Sequence, residues 1–223
     1  MRTAVKGLWR ANGLTIVTLT LFFLFLVGHS WSGLNEYNEE QAEHGQPAVS
    51  YGEYLTSGHF VETFTENAES EFLQMGLFVW LTTFLRQKGS PESKKLGREE
   101  VDKDPRRNRE RGSPWPVQRG GFTLMVYENS LTLIFVVLFV FFFLAHAASG
   151  AAHYSEEQLA HGGEAVSMLQ YLGTSRMWFE SFQNWQSEML AVASLVVFSI
   201  FLRQRGSPES KPVAAPHSKT GSA

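Results

Sequence analysis

Four apolar runs of fourteen residues, 14–27, 72–85, 131–144 and 189–202, constrain this chain more than any other feature. The third begins 117 residues after the first (131 − 14), and the fourth 117 after the second (189 − 72). With its flanks, each run approaches the ~20 residues that carry a helix across a bilayer. The same offset lays Phe84-Leu85-Arg86-Gln87-Lys88-Gly89-Ser90-Pro91-Glu92-Ser93-Lys94 over Phe201-Leu202-Arg203-Gln204-Arg205-Gly206-Ser207-Pro208-Glu209-Ser210-Lys211. A duplicated membrane hairpin accounts for both regularities, each unit opening and closing on an apolar helix.

Bulk composition hides this class, because 43% hydrophobic and 18% charged residues are averages over very different regions. The absence of cysteine excludes disulfides, thiolate nucleophiles, iron–sulfur clusters and cysteine zinc sites. There is no P-loop, Rossmann glycine pattern, Gly-x-Ser-x-Gly elbow or His-Glu-x-x-His pair. The basic central stretch is mixed with acids and lacks interleaved aromatics, which argues against nucleic-acid binding.

The first run comes after Arg2, Lys6, Trp9 and Arg10. It has no small-x-small cleavage site after it and an internal counterpart in the second half, so it reads as a retained span rather than a signal peptide. From 29 to 71 the chain turns acidic, with nine Glu and no Lys or Arg. Residues 36–44 read as a short helix stopped by Gly45 and Pro47. Ser50-Tyr51-Gly52-Glu53 fits a capping box, and Ser167-Met168-Leu169-Gln170 fits another at the matching place. A longer helix is expected over about 59–88. Its apolar part rises only about 21 Å, so either the bilayer thins or the polar turn at 67–71 dips into the outer interface. Lys88-Gly89-Ser90-Pro91 is a helix stop. Capping does not account for the repeated Pro-Glu-Ser-Lys beyond it.

The spans place a first hairpin unit at 1–94 (spans about 12–30 and 68–87) and a charged linker at 95–117. A second hairpin unit comes next at 118–211 (spans about 129–147 and 185–204), then a disordered tail at 212–223. Basic residues orient the whole. The amino terminus has three, the stretch 86–119 eleven and the tail from Arg203 four, leaving only Arg176 elsewhere among the 19 Lys and Arg. By the positive-inside rule both termini and the linker face the cytoplasm and both acidic loops face outward. The two units then share one orientation, a parallel repeat about an axis along the membrane normal.

Three motifs carry a resemblance: Tyr37-Asn38-Glu39-Glu40-Gln41 with His44-Gly45, Phe182-Gln183-Asn184-Trp185-Gln186-Ser187-Glu188, and the repeated Gly-Ser-Pro-Glu-Ser-Lys ending. With them the chain resembles a bacterial integral membrane protein family of unknown function with a duplicated two-span unit. The resemblance covers nearly the whole chain and implies a bacterial cytoplasmic membrane location. It brings no activity, ligand or site with it.

Four groups of residues are candidates for chemistry. His29 and His146, with Glu71 and Glu188, are expected near the outer hydrocarbon edge. Converging on a pseudo-two-fold axis, they can bind a transition metal, or the two imidazoles can be axial ligands of a haem. Polar residues also gather at an interface simply because water is there. Glu40 with His44, and Glu157 with His161, stand at i and i+4 as paired metal ligands can. Each His precedes a Gly, so helix capping explains the same spacing. Trp178, Phe179, Phe182 and Trp185, with Phe60 and Phe64, either line a lipid or quinone groove or form an interfacial aromatic belt. The Arg-Gln-Lys/Arg-Gly-Ser-Pro-Glu-Ser motif either binds a partner or anionic headgroups or caps and anchors the helix.

The expected architecture is therefore an all-α membrane protein, four transmembrane helices arranged as two parallel-repeat hairpins with short helical outer caps. Its leading functional reading is a non-enzymatic accessory or scaffolding role in the cell envelope, among membrane lipids and in a homo-oligomer or larger complex. The rivals are a metal- or haem-binding redox or sensing protein using His29, His146, Glu71 and Glu188, and a small proton-coupled transporter using the two Glu.

Overall fold

The computed structural model describes residues 2–221, with side chains from residue 6 onward. Among them every regular element is helical. In chain order these are α1 (Arg2–Glu43), α2 (Tyr51–Tyr54), α3 (Gly58–Phe84), α4 (Trp115–Arg119), α5 (Gly121–Glu128), α6 (Ser130–Ala160), α7 (Met168–Tyr171) and α8 (Ser175–Phe201), with a 3-10 turn at Glu100–Asp102. Three of them are long and apolar enough to cross a membrane: Lys6–Glu43 within α1, α6 and α8.

The long helices obey local rules. The expected short helix at 36–44 does not start afresh; α1 runs unbroken for 42 residues, about 63 Å. In intrinsic helix propensity Gly28 and Gly33 are each roughly 1 kcal/mol poorer than Ala, but no proline intervenes. Ser30 and Ser32 return their hydroxyls to the carbonyls of Val27 (3.0 Å) and Gly28 (2.8 Å). The stop itself falls where expected, with Gly45 at φ 69° and its counterpart Gly162 at φ 77°, the left-handed cap that glycine takes without strain. Both expected capping boxes form. Ser50 N–H donates to Glu53 Oε2 (2.7 Å) while Ser50 Oγ accepts from Glu53 N–H (3.4 Å). Ser167 N–H donates to Gln170 Oε1 (2.7 Å) while Ser167 Oγ accepts from Gln170 N–H (3.3 Å).

α3 and α8 stop short of the basic residues expected to close them. Arg86 and Arg203 turn back and donate to the last carbonyls, at Leu85 (3.0 Å) and Leu202 (2.7 Å). The repeated motif has a structural reason. Ser93 Oγ accepts from Gln87 N–H (2.8 Å), and Ser210 Oγ accepts from Gln204 N–H (2.9 Å). Each serine thus reaches back over the Gly-Ser-Pro turn and satisfies a donor just past its helix. The lysines that end the motif pin the segments beyond them. Lys94 Nζ pairs with Asp102 (2.5 Å). Lys211, only 1% exposed, donates to the carbonyls of His217 (2.9 Å) and Lys219 (3.1 Å). Burial lowers its pKa from the ordinary lysine value, helped by Arg203 and Lys219. Within the expected tail, Gly221 N–H donates to Ser90 O (3.0 Å); residues 222–223 lie outside the described part.

The pattern of burial is the reverse of a water-soluble fold. Leu21, Phe22, Phe23, Phe25, Phe141 and Phe198 are exposed, whereas Glu62, Glu69, His146, His153, Ser149 and Ser181 are buried. A chain whose large apolar side chains face outward and whose polar ones face inward suits a lipid surrounding, where helix contacts use small and polar groups.

The helices divide into two compact units. The first comprises Met1–Phe64 with Ala148–Tyr171, and the second Thr65–Ala147 with Leu172–Ala223. In the first, the fully buried rings of Tyr54 and Tyr171 sit directly on Gly33 and Gly150, where no side chain keeps them away. In the second, the phenylalanines stack: Phe72 lies 5.3 Å from Phe142 and 6.4 Å from Phe135. Gly76 lets the Phe135 side chain approach.

Candidate functional site

Each unit holds one histidine clamped between two carboxylates. In the second unit this is His146 of α6, fully buried. Its Nδ1 lies 2.8 Å from Glu69 Oε2 of α3, and its Nε2 lies 3.4 Å from Glu180 Oε2 of α8. The remaining oxygens are also used. Glu69 Oε1 accepts from the Trp185 indole N–H (2.9 Å), and Glu180 Oε1 accepts from Arg176 Nε–H (2.8 Å). Both imidazole nitrogens and all four carboxylate oxygens of this five-residue chain therefore have partners, which is the condition for keeping charge in a poorly solvated interior.

The first unit repeats the arrangement with different residues. His153 of α6 pairs through Nδ1 with Glu62 of α3 and faces Glu157 Oε1 through Nε2 at 3.5 Å. Glu62 Oε1 accepts from the Tyr171 hydroxyl at 2.9 Å. His59 stands edge-on to His153, ring centroids 5.0 Å apart, and its Nδ1 lies 3.2 Å from the Tyr54 hydroxyl. Burial and the nearby Glu36 push the Tyr54 hydroxyl up to about 12, so it keeps its proton at any physiological pH.

The sequence-predicted residues have different surroundings. His146 is at the centre of a site, but with Glu69 and Glu180 rather than with Glu71 and Glu188. Glu71 is exposed and Glu188 half-buried, and Gln74 Nε2 donates to the Glu188 carbonyl (3.3 Å). His29, in the other unit, has its Nε2 3.3 Å from Thr63 Oγ1 and its ring 5.5 Å from Phe60. His44 and His161 turn their Nδ1 to the carbonyls of Glu40 (2.9 Å) and Glu157 (2.8 Å), the capping contact that their spacing predicts. Of the aromatics, Phe179 and Phe182 are exposed, Phe182 packs on Trp178 and Trp185, and Trp185 gives its indole N–H to Glu69.

Glu62, Glu69, His153 and Glu180 do not stand out in the sequence, although a signal exists. Glu62 and Glu69 are seven apart, as are His146 and His153, so each pair occupies one face of its helix two turns apart. Comparison of the two halves conceals them. At the 117-residue offset Glu62 answers Phe179, Glu69 answers Gln186, His153 answers Glu36, and Glu180 answers Thr63. The last pair shows what differs: His29 meets a hydroxyl where His146 meets a carboxylate.

His59 supplies a pH prediction. Burial, seconded by His153, lowers its pKa from the ordinary 6.5 against the opposing pull of Glu36, Glu40 and Glu62. The fold thus prefers the neutral ring. Its contribution is complete above about pH 6.5 and is lost as pH falls through the lowered value, because the unfolded chain takes up the proton first. Unfolding temperature measured from pH 8 to pH 5 is expected to fall on the acid side, and His59→Gln is expected to flatten that slope.

With this geometry in view, comparison with known proteins adds one finding. The sequence model of a domain of unknown function (DUF6766) matches residues 5–222. Neither a curated protein nor a solved structure matches the chain.

Proposed function

We infer that this chain, which belongs to the DUF6766 family, is a multi-pass membrane protein that acts as a non-enzymatic scaffold or accessory component of the bacterial cell envelope. The observation that carries this reading is the saturation of the His146 centre. Both imidazole nitrogens face carboxylates, and the outer carboxylate oxygens are held by Trp185 and Arg176. A catalytic or redox metal site keeps an open position, and a transport site must exchange its proton. A fully satisfied buried ionic chain does a different job: it specifies which helix faces meet. The proposed topology supports the same role. Four spans form two parallel-repeat hairpins, the second span being the apolar part of α3, with both termini and the linker in the cytoplasm. Lipids surround the bundle, and a homo-oligomer or larger membrane complex is its natural setting.

Proton-coupled transport is the competing reading, favoured by the burial of ionisable groups in helices fit to cross a membrane. Against it, the apolar runs offer only Thr, Ser and Gln as polar residues. The test is a flux measurement. Full-length protein in liposomes loaded with a pH-sensitive dye is expected to leave proton permeability at the level of empty liposomes under an imposed gradient. A flux above that level, lowered by His146→Gln or Glu69→Gln, overturns the scaffold reading.

A further inference from the structure

We propose that the carboxyl-terminal ends of α1 and α6, in the first unit, bind a divalent transition-metal ion of the zinc type through His44 and His161. The scaffold reading neither requires nor predicts this site. Both histidines donate from Nδ1 to the carbonyl one turn earlier, Glu40 O at 2.9 Å and Glu157 O at 2.8 Å. A carbonyl can only accept, so Nδ1 carries the proton in each ring. Each neutral ring is thereby held in the tautomer whose Nε2 lone pair is available to a metal. Metal-binding histidines are oriented in this same way, by an N–H given to a backbone carbonyl.

The two rings also come together. Their centroids are 5.5 Å apart at 76°. Capping explains each Nδ1 contact by itself, but not why the two caps meet.

Beside His44 lies a cavity of about 430 Å³ whose wall includes His44, Glu40, Gln41, Glu156 and Glu157. Glu40 stands one turn before His44 and can swing a carboxylate oxygen toward the ion, with water completing the shell, while Glu157 stays with His153. Two imidazoles with a carboxylate and water are a donor set that suits zinc. The field favours a cation as well, since neither 29–71 nor 148–175 contains a Lys or Arg.

The test uses full-length protein purified without a metal-affinity column and titrated with Zn²⁺ against a chromophoric chelator. One ion per chain is expected. His44→Ala or His161→Ala is expected to weaken binding by about tenfold or more, on the scale by which even supporting groups tune metal affinity, and the double variant to abolish it. His44→Asn with His161→Asn keeps side chains able to close the helix ends, so loss of zinc in this pair with an unchanged far-ultraviolet circular dichroism spectrum separates ligation from folding. Absence of zinc binding in the native chain, or undiminished binding in the double variant, overturns the proposal.

Discussion

His146→Ala is expected to cost about 3–5 kcal/mol of stability, the range for removing one partner of a buried ion pair. The loss exceeds that of the contacts themselves. Glu69 Oε2 and Glu180 Oε2 lose the imidazole between them, and the side chains at 146 and 69 have no exposure to water at all. Glu180 retains Arg176 at 2.8 Å, so most of the penalty falls on Glu69, whose other oxygen has only the neutral Trp185 indole. This asymmetry makes a second variant informative. Glu69→Leu with His146→Leu removes the stranded charge together with its partner and leaves the Arg176–Glu180 pair. It is expected to recover a large part of the loss, as apolar replacement of buried ion pairs often does. Chemical or thermal unfolding in lipid–detergent mixtures reads both. If the double variant is no more stable than His146→Ala alone, the centre does not act through charge compensation.

Gly150→Ala is expected to have the next largest effect. An added Cβ would stand 2.6 Å from Tyr171 Cζ and 2.7 Å from its hydroxyl. That ring is fully buried and its hydroxyl is committed to Glu62, so it has nowhere to move without releasing the carboxylate. Overpacking of this kind costs about 1–3 kcal/mol, and here the Glu62–His153 contact is put at risk as well. Gly33→Ala is expected to act alike, since its Cβ would meet the Tyr54 hydroxyl. Gly28→Ala is the internal control: nothing lies within 4 Å of its added Cβ, and replacing a helical glycine by alanine there is expected to be neutral or stabilising by up to about 1 kcal/mol. Equal melting temperatures for all three variants would show that the tyrosines do not pack on glycine in the folded protein.

Much of the fold is legible in order along the chain. Apolar runs, capping boxes and glycine stops are local properties, and α1, α3, α6 and α8 cover the four apolar runs to within one residue. The break expected before residue 36 is missing for a local reason too: two glycines without a proline do not end a helix whose serines bond back to it. The meaning of Pro-Glu-Ser-Lys is out of reach because Ser93 and Ser210 act on donors six residues earlier, around a turn whose closure no propensity describes.

Read in one dimension, the residues suffice to make the chain helical, to suit its apolar runs to a bilayer, and to segregate acid from base along it. These are sums over neighbouring residues, and sums survive without knowledge of contacts. Which ionisable groups matter is a question of packing. His146 meets Glu69 and Glu180 rather than Glu71 and Glu188 because helix rotation and register set the partner. A side chain two positions along a helix points about 200° away, so Glu69 is buried against His146 while Glu71 faces outward. Burial then turns an ordinary carboxylate into a group that must be paired, and no linear pattern of charge carries that information.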